Sequence, residues 1–285
     1  MKRLAGLALI TLLAGNVFAA GRQNSGGSSG GSIIVMSRED GSGTRSAFTE
    51  LFGVLDSGSR DAITLSAEIT NNTAVMMTSV AGERNAIGYI SLGSLNDTVK
   101  ALAIDGVVPD AETAAAGTYK ITRPFYIVTK GEVKAAAGDF IAFIMSREGQ
   151  DVISANGYVR RADTGAFTSA MPSGRIIVAG SSSVTPVMEK LQEAYEKINP
   201  GAGIEIQQSD SSTGINAAVD GICDIGMASR DLRSTEIEKG LTGTVIAIDG
   251  IAVIVNKANP LTGLTKDQVK AIYLGQAETW SAVTR

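Results

Sequence analysis

The chain has 285 residues, of which 44% are hydrophobic and 33 are glycine, and its formal net charge is −4 at pH 7. This length suits one large α/β domain or two lobes of about 100–150 residues each. The acidic balance excludes the basic face typical of nucleic-acid binding, so we expect no nucleic-acid partner. Because the sequence contains no histidine, it excludes a Ser-His-Asp triad, a Cys-His pair and the usual His-containing zinc sites.

The N-terminus predicts export. Lys2 and Arg3 precede an apolar run at 4–14 that is too short to span a bilayer and is followed by a small-residue cleavage pattern. We therefore predict a cleavable signal peptide over 1–20. Because no cysteine directly follows the apolar run, we expect no lipid anchor at a processed N-terminal cysteine. Residues 21–32, "GRQNSGGSSGGS", are typical of a flexible Gly/Ser linker.

Beyond the linker, short β-branched runs alternate with helical stretches, which is the pattern of an α/β fold. The predicted strands are 33–36, 87–91, 124–129, 175–179, 204–207, 223–228, 245–248 and 251–256. The predicted helices are 44–55, 73–82, 136–146, 148–155, 184–197, 213–220 and 265–274. A second linker-like stretch, 161–174, separates two well-patterned halves.

The first strand runs into the loop "SREDGSGTRSAF" at 37–48. A helix that begins near Thr44 would direct its free N–H groups and its positive dipole end into this loop, where anions bind readily. The hydroxyls of Ser42 and Thr44 could donate, and Arg38 could hold a tetrahedral oxyanion with two hydrogen bonds. The loop is not a P-loop, because no Gly-Lys-Ser/Thr follows. An ordinary capped helix with a glycine-rich turn is the alternative.

Two further loops follow strands and precede helices in the same way. They are "VAGSSSVTPVMEKL" at 178–191, with Ser182 and Ser183, and "QQSDSSTGINAAV" at 207–219, with Ser211. A serine N-cap explains one hydroxyl but not three in a row. Three such units in a chain without histidine indicate several helix N-termini that converge on one anion. Neutral donors suit the binding of an anion because they leave little protein charge buried in the site.

These loops belong to a wider set of stretches that resembles a known family, the periplasmic phosphate-binding proteins of ABC phosphate importers (PstS type). The similar stretches are "IIVAGSSSVTPVMEKL", "DSSTGI", "CDIGMASRDL", "IDGIAVIVNKANP", "LTKDQVKAIYLGQAETW", "SREDGSGTR", "NAIGYISLG", "RPFYIVTKG" and "FIAFIMSREGQDVISANGYV". In that family the "AGSSSVTP" half comes first, whereas here it comes second. The resemblance therefore implies a circular permutation, natural or engineered, with the family's original termini joined through 162–174.

The resemblance also implies the fold, an α/β two-lobed periplasmic binding protein (type II) fold with a ligand cleft between the lobes. One lobe would combine 33–93 with 252–285 and contain the Arg38 loop. The other lobe, 94–251, would contain the two serine-rich loops. If the halves are swapped, 252–283 must pack against 33–93.

Carried over motif by motif, the phosphate ligands would be Arg38, Ser42, Gly43, Thr44, Ser182, Ser183, Ser211 and Ser229. Better-known members of the family use an aspartate to accept the proton of hydrogen phosphate and to repel sulfate, and Ser229 stands at that position. Asp210 or Asp249 could replace this acceptor. Asp40 is expected to orient Arg38.

The function implied is that of a non-catalytic periplasmic protein that captures inorganic phosphate for the membrane subunits of an ABC importer. We expect a monomer with no cofactor and no metal. A binder of another oxyanion, such as sulfate or molybdate, is the alternative within the same class. A secreted phosphatase is the alternative among enzymes, although the sequence has no aspartate cluster with metal-ligand spacing.

Overall fold

The computed structural model describes residues 31–161 and 164–283, so the predicted signal peptide and most of the Gly/Ser linker lie outside the described residues. The strands are β1 Ile34–Arg38, β2 Glu68–Thr70, β3 Ala86–Ser91, β4 Lys100–Ala101, β5 Ala103–Ile104, β6 Thr122–Lys130, β7 Val159–Arg160, β8 Gly174–Ser181, β9 Ala202–Ser209, β10 Ile225–Ala228, β11 Leu241–Val255 and β12 Gly263–Leu264. The helices are α1 Gly43–Phe52, α2 Thr73–Gly82, α3 Ala111–Ala115, α4 Ala135–Met145, α5 Arg147–Ala155, α6 Thr185–Ile198, α7 Ser211–Val219, α8 Ser234–Ile237, α9 Lys266–Tyr273 and α10 Trp280–Val283. No helix in these two ranges is both long and apolar enough to cross a membrane.

The predicted elements are present, with one change. The strands predicted at 245–248 and 251–256 form a single strand, β11, because the residues between them stay extended and paired. The elements that were not predicted are short ones, such as β2, β4, β5 and α8. Two to four residues are too few to show a hydrophobic period.

Most strands join one ten-stranded sheet, in the order β2-β1-β3-β11-β6-β10-β8-β9, with β4 and β7 also pairing with β11. β1 runs parallel to β2 and β3, and β8 runs parallel to β9 and β10. β11 is antiparallel to β3 through its residues 251–255 and to β6 through its residues 241–250. A single strand therefore connects the two halves of the sheet.

The side chains of these strands alternate between two faces, and helices cover both faces. Ile251 and Val253 enter one large core, whereas Ala252 and Ile254 enter a smaller core on the opposite face against α2. We call the large core that contains Val35, Phe48 and Tyr89 core A. The other large core, core B, lies on β6, β8 and β10 and is covered by α4, α5 and α6.

The two ends of the described chain meet in core A. The amide of Ile33 donates to the carbonyl of Glu278 over 2.8 Å, and the Tyr273 hydroxyl donates to the carbonyl of Met36 over 3.2 Å. α9 buries Val269, Ile272 and Tyr273 in this core. The C-terminal segment thus packs against the N-terminal one.

The boundary between the cores differs from the one expected at residues 93–94. Leu102, Ile104, Tyr119 and Ile121 belong to core A, and β5 pairs with β12. The buried residues of core B begin at Phe125. The crossing therefore lies near residues 121–125, because the short strands after β3 return to core A before β6 leaves it.

Candidate functional site

Four strand–helix turns lead to one place. They are β1–α1 and β2–α2 beside core A, and β8–α6 and β9–α7 beside core B. Strands that run parallel end at the same edge of a sheet, so the helices that follow them begin close together. The hydroxyls at these helix N-termini therefore meet, although they come from distant parts of the sequence.

Three of the four helices are capped by a residue just before the first turn. Ser42, Asn72 and Asp210 accept hydrogen bonds from the amides of Arg45, Val75 and Thr213, respectively. These caps satisfy one free amide in each helix. The residues that follow the caps are available for other contacts. Asp210 also accepts from the Thr213 hydroxyl over 2.5 Å, so both of its oxygens serve its own turn.

A group of buried hydroxyls, which we call the hydroxyl cluster, fills this place. It consists of Thr44, Thr73, Ser181, Ser182, Ser183, Ser211 and Ser229, each at most 5% exposed. The Thr44 and Ser183 hydroxyls lie 2.7 Å apart, and Thr73 lies 3.4 Å from Ser183. These contacts join residues beside core A to residues beside core B.

The second part of the cluster surrounds Gly43. The Ser181 hydroxyl donates to Ser229 over 3.0 Å, and the amide of Ser229 donates to the Ser211 hydroxyl over 3.0 Å. A Cβ atom on Gly43 would lie 2.4 Å from the oxygen of Ser211 and 2.6 Å from that of Ser229. Only glycine therefore allows the backbone of the Arg38 loop to approach these two serines so closely.

Arg38 is the cation of this site and is 1% exposed. Its guanidinium donates to Ser182 over 3.1 Å and to Thr73 over 3.4 Å. It also donates twice to Glu39, over 2.7 Å each time. The expectation that Asp40 orients Arg38 is wrong, because Asp40 is 98% exposed and pairs with Arg45 over 3.1 Å.

The main chain of Arg38 is fixed from both sides. Its carbonyl accepts from Arg45 over 2.9 Å, and its amide donates to the Tyr89 hydroxyl over 3.2 Å. Burial raises the pKa of Tyr89 to about 12. The phenol therefore stays neutral and can donate to Ser37, 2.8 Å away. These contacts fix the backbone of Arg38, while Glu39 orients its guanidinium.

Asp249 lies in a different network. It accepts from Ser91 over 2.9 Å and forms a buried ion pair with Arg123 at 3.1 Å. Burial raises the pKa of Asp249, with Arg123 acting in the opposite direction. Arg123 also donates to the carbonyl of Ser229 over 3.2 Å. Asp249 thus neutralises a cation behind the hydroxyl cluster and makes no hydrogen bond to the cluster itself.

Sequence patterns do not identify three residues of this region, Thr73, Glu39 and Arg123. Thr73 is the first residue of a helix that the pattern predicted, but its turn carries one hydroxyl rather than a run of them. A loop sequence does not show which of the adjacent carboxylates, Glu39 or Asp40, faces the arginine. Arg123 is the second residue of β6 and lies far from the three loops in the sequence, so no local signal marks it.

The arrangement suits a tetrahedral oxyanion. Helix N-termini and neutral hydroxyls supply directed donors, and the buried guanidinium adds charge-assisted ones. In the described parts of the chain, the cluster hydroxyls bond to one another, to Arg38 and to main-chain groups rather than to a carboxylate. The same parts contain no group of three His, Cys, Asp or Glu residues able to hold a metal ion.

Comparison with known proteins gives a consistent answer. The model of the PBP superfamily domain matches residues 8–148 and 165–284. The phosphate-binding protein PstS 2 of Streptococcus agalactiae is 49% identical over 289 residues, which cover 100% of this chain and 99% of the relative. The phosphate-binding protein PstS of Staphylococcus haemolyticus is 39% identical over 111 residues, which cover 36% of this chain and 35% of the relative.

A solved structure agrees with these sequence matches. The crystal structure of a phosphate-binding protein of a phosphate ABC transporter from Streptococcus pneumoniae has a TM-score of 0.70 and 43% identity, and the match covers 89% of this chain and 100% of that one. The α/β fold is thus that of the periplasmic binding proteins. The chain belongs to the PstS family of phosphate-binding proteins, which are components of phosphate ABC transporters and not enzymes.

Proposed function

We propose that the hydroxyl cluster, together with Arg38 and the amides of Gly43 and Thr44, binds one inorganic phosphate ion. The observation that carries this proposal is the interlocking of buried hydroxyls from four helix N-termini around a buried guanidinium. All of the ligands suggested by the family resemblance belong to this site or to its capping residues. Thr73 joins them as a further donor, because it contacts both Arg38 and Ser183.

Most of the attraction in this site comes from neutral donors. Glu39 already neutralises Arg38, and Asp249 neutralises Arg123. The helix dipoles and the hydroxyls therefore provide the favourable environment for the anion. Ser229 replaces the carboxylate expected as proton acceptor, so its rotatable hydroxyl takes that role, while Asp210 and Asp249 are engaged elsewhere.

The site lies in a cleft between two lobes. One lobe is built on core A from residues 31–121 and 251–283, and the other is built on core B from residues 122–250. Hydrogen bonds such as Thr44–Ser183 and Arg38–Ser182 link the lobes across the cleft. Binding of phosphate among these groups would hold the lobes together.

The chain is a circular permutant, in which the two halves of the sequence stand in the reverse of the order described above for the family. The meeting of both chain ends in core A supports this proposal. The short match to the staphylococcal relative, 36% of the chain, is consistent with an alignment that ends where the halves are swapped. The full-length match to the streptococcal protein indicates that the order is shared with natural proteins.

The protein works on the extracytoplasmic side as a monomer and passes phosphate to the membrane subunits of the transporter. A periplasmic location, cleavage after a signal peptide at 1–20 and the lack of a lipid anchor stay predictions from the sequence. The same holds for the absence of a cofactor.

Phosphate is expected to raise the melting temperature, since a ligand that binds only the folded state stabilises it. At a phosphate concentration of ~1,000 times Kd the stabilisation is about 4 kcal/mol. For a chain of this size each kcal/mol corresponds to about 2–4 °C, so the expected shift is about 8–16 °C. Thermal scans in matched phosphate, arsenate and sulfate series test this. A shift in sulfate with none in phosphate would assign the site to another oxyanion.

Gly43→Ala is expected to weaken phosphate binding at least about tenfold, because the new methyl group would push the lobes apart at Ser211 and Ser229. Gly138→Ala is the matched control. Gly138 lies inside α4, and the added Cβ would meet no atom within 4 Å beyond the backbone of its own helix. This change should therefore leave affinity intact and stabilise the fold by about 0.5–1 kcal/mol. Calorimetric titration of both variants measures the difference. Equal affinities would show that the close approach at Gly43 does not matter.

A further inference from the structure

A second link between the lobes lies beside the hydroxyl cluster. The carbonyl of Gly41 accepts from the amide of Ser212 over 3.2 Å and from the Ser212 hydroxyl over 3.2 Å. Gly41 has a φ of +88°, and a Cβ there would lie 2.5 Å from the Asp210 carboxylate. The backbone at Gly41 is therefore shaped to bring its carbonyl against the first turn of α7.

Arg230 holds the Ser212 hydroxyl from behind. Its guanidinium donates to Ser212 over 3.2 Å and to both carboxylate oxygens of Glu236, over 2.8 and 2.9 Å. The side chains of Arg230 and Glu236 are 6% and 11% exposed. The Nε atom of Arg230 is buried without a hydrogen-bond partner, which costs free energy. Arg230 stays buried despite this cost and directs one nitrogen to Ser212. This geometry indicates that Arg230 positions the Ser212 hydroxyl.

The donor and acceptor roles in the hydrogen bonds at Ser212 are fixed. Because Arg230 can only donate, it occupies a lone pair of the Ser212 oxygen and leaves the hydroxyl proton free for the Gly41 carbonyl. Gly41 belongs to the Arg38 loop, whereas Ser212 and Arg230 belong to the core B side. None of these three residues was assigned to the anion by the sequence.

We propose that Ser212, positioned by Arg230, is a clasp that holds the Arg38 loop closed over bound phosphate and so sets the rate of phosphate release. This inference rests on the proposed phosphate site. The clasp stabilises the closed form and contributes nothing to the first encounter with the anion. It therefore acts on the dissociation rate and leaves the association rate unchanged.

The test is the dissociation of radiolabelled inorganic phosphate from the full chain, chased with unlabelled phosphate, together with the association rate. Ser212→Ala is expected to speed dissociation about 2- to 12-fold, which corresponds to the loss of one ordinary hydrogen bond. Ser212→Thr keeps the hydroxyl and should restore the slow rate. Thr213→Ala is the matched control, because the Thr213 hydroxyl bonds to Asp210 within its own turn.

A second variant removes the positioning group. Arg230→Met combined with Glu236→Gln deletes both charges, so neither is left buried and unpaired. It should accelerate dissociation in the same range with an unchanged association rate. Unchanged dissociation in Ser212→Ala, or an equal effect of Thr213→Ala, would overturn the clasp while the phosphate site stands. A wild-type chain that binds no phosphate would overturn both.

Discussion

Truncation of the chain after Asn256 is expected to abolish phosphate binding, although the predicted ligands, from Arg38 to Ser229, all remain. The deletion removes α9 and α10, whose buried residues include Val269, Tyr273 and Trp280. These residues share core A with β1, α1 and β3, which carry or flank the Arg38 loop. Loss of several large core side chains costs more than the whole stability of a typical domain. Calorimetry with phosphate and far-UV circular dichroism measure the outcome.

The control for this truncation is a rearranged chain that keeps both halves of the sequence. It opens the sequence within 162–174, places 175–283 before 33–161 and joins the old ends with a short linker. This join is feasible because the Ile33 amide already bonds to the Glu278 carbonyl. The rearranged chain should bind phosphate with the same stoichiometry as the original. A truncated chain that still bound phosphate tightly would contradict the single core built from both ends.

Arg38→Ala is expected to weaken phosphate binding by about 2–5 kcal/mol, or about 30- to 5,000-fold, with the fold retained. The change removes the charge-assisted donor that reaches Ser182 and Thr73. It also leaves Glu39 without its partner beside the anion, which adds repulsion. Isothermal titration of the folded variant with phosphate gives the affinity.

Two further variants separate the loss of the guanidinium from the repulsion by Glu39. Arg60→Ala removes an arginine that is 82% exposed and pairs with Asp56 on the surface, so it should leave affinity unchanged. Arg38→Ala combined with Glu39→Gln removes the unpaired carboxylate and should recover part of the loss. Wild-type affinity in Arg38→Ala would remove this guanidinium from the site. A double variant no better than the single one would show that Glu39 does not repel the anion.

The sequence predicts this architecture well because its strong signals are local. Hydrophobic periodicity defines amphipathic helices such as α6 and α9, and β-branched runs define strands such as β6. The three hydroxyl loops are local signals of the same kind, and each now lies at a helix N-terminus. The boundary between cores A and B is not evident from the sequence, because β4 and β5 are two residues long and pair with distant strands, which no local pattern shows.

The site is less predictable where it depends on side-chain direction or on long-range pairing. Thr73 and Ser183 are 110 positions apart, and only the sheet order brings them together. Glu39 and Asp40 are adjacent carboxylates, yet one holds Arg38 and the other faces solvent. The sequence does not predict the Asp249–Arg123 ion pair either, since the two residues lie on different strands that only the sheet brings together.

The most direct test of the phosphate site is a crystal structure of the full chain grown with inorganic phosphate. We expect one phosphate in the cleft, with oxygens within about 3.2 Å of donors on Arg38, Thr44, Ser183 and Ser211. The Thr44–Ser183 contact should open or share its hydrogen bond with the anion. A phosphate bound outside the hydroxyl cluster, with the cluster's own hydrogen bonds unchanged, would contradict the proposed site.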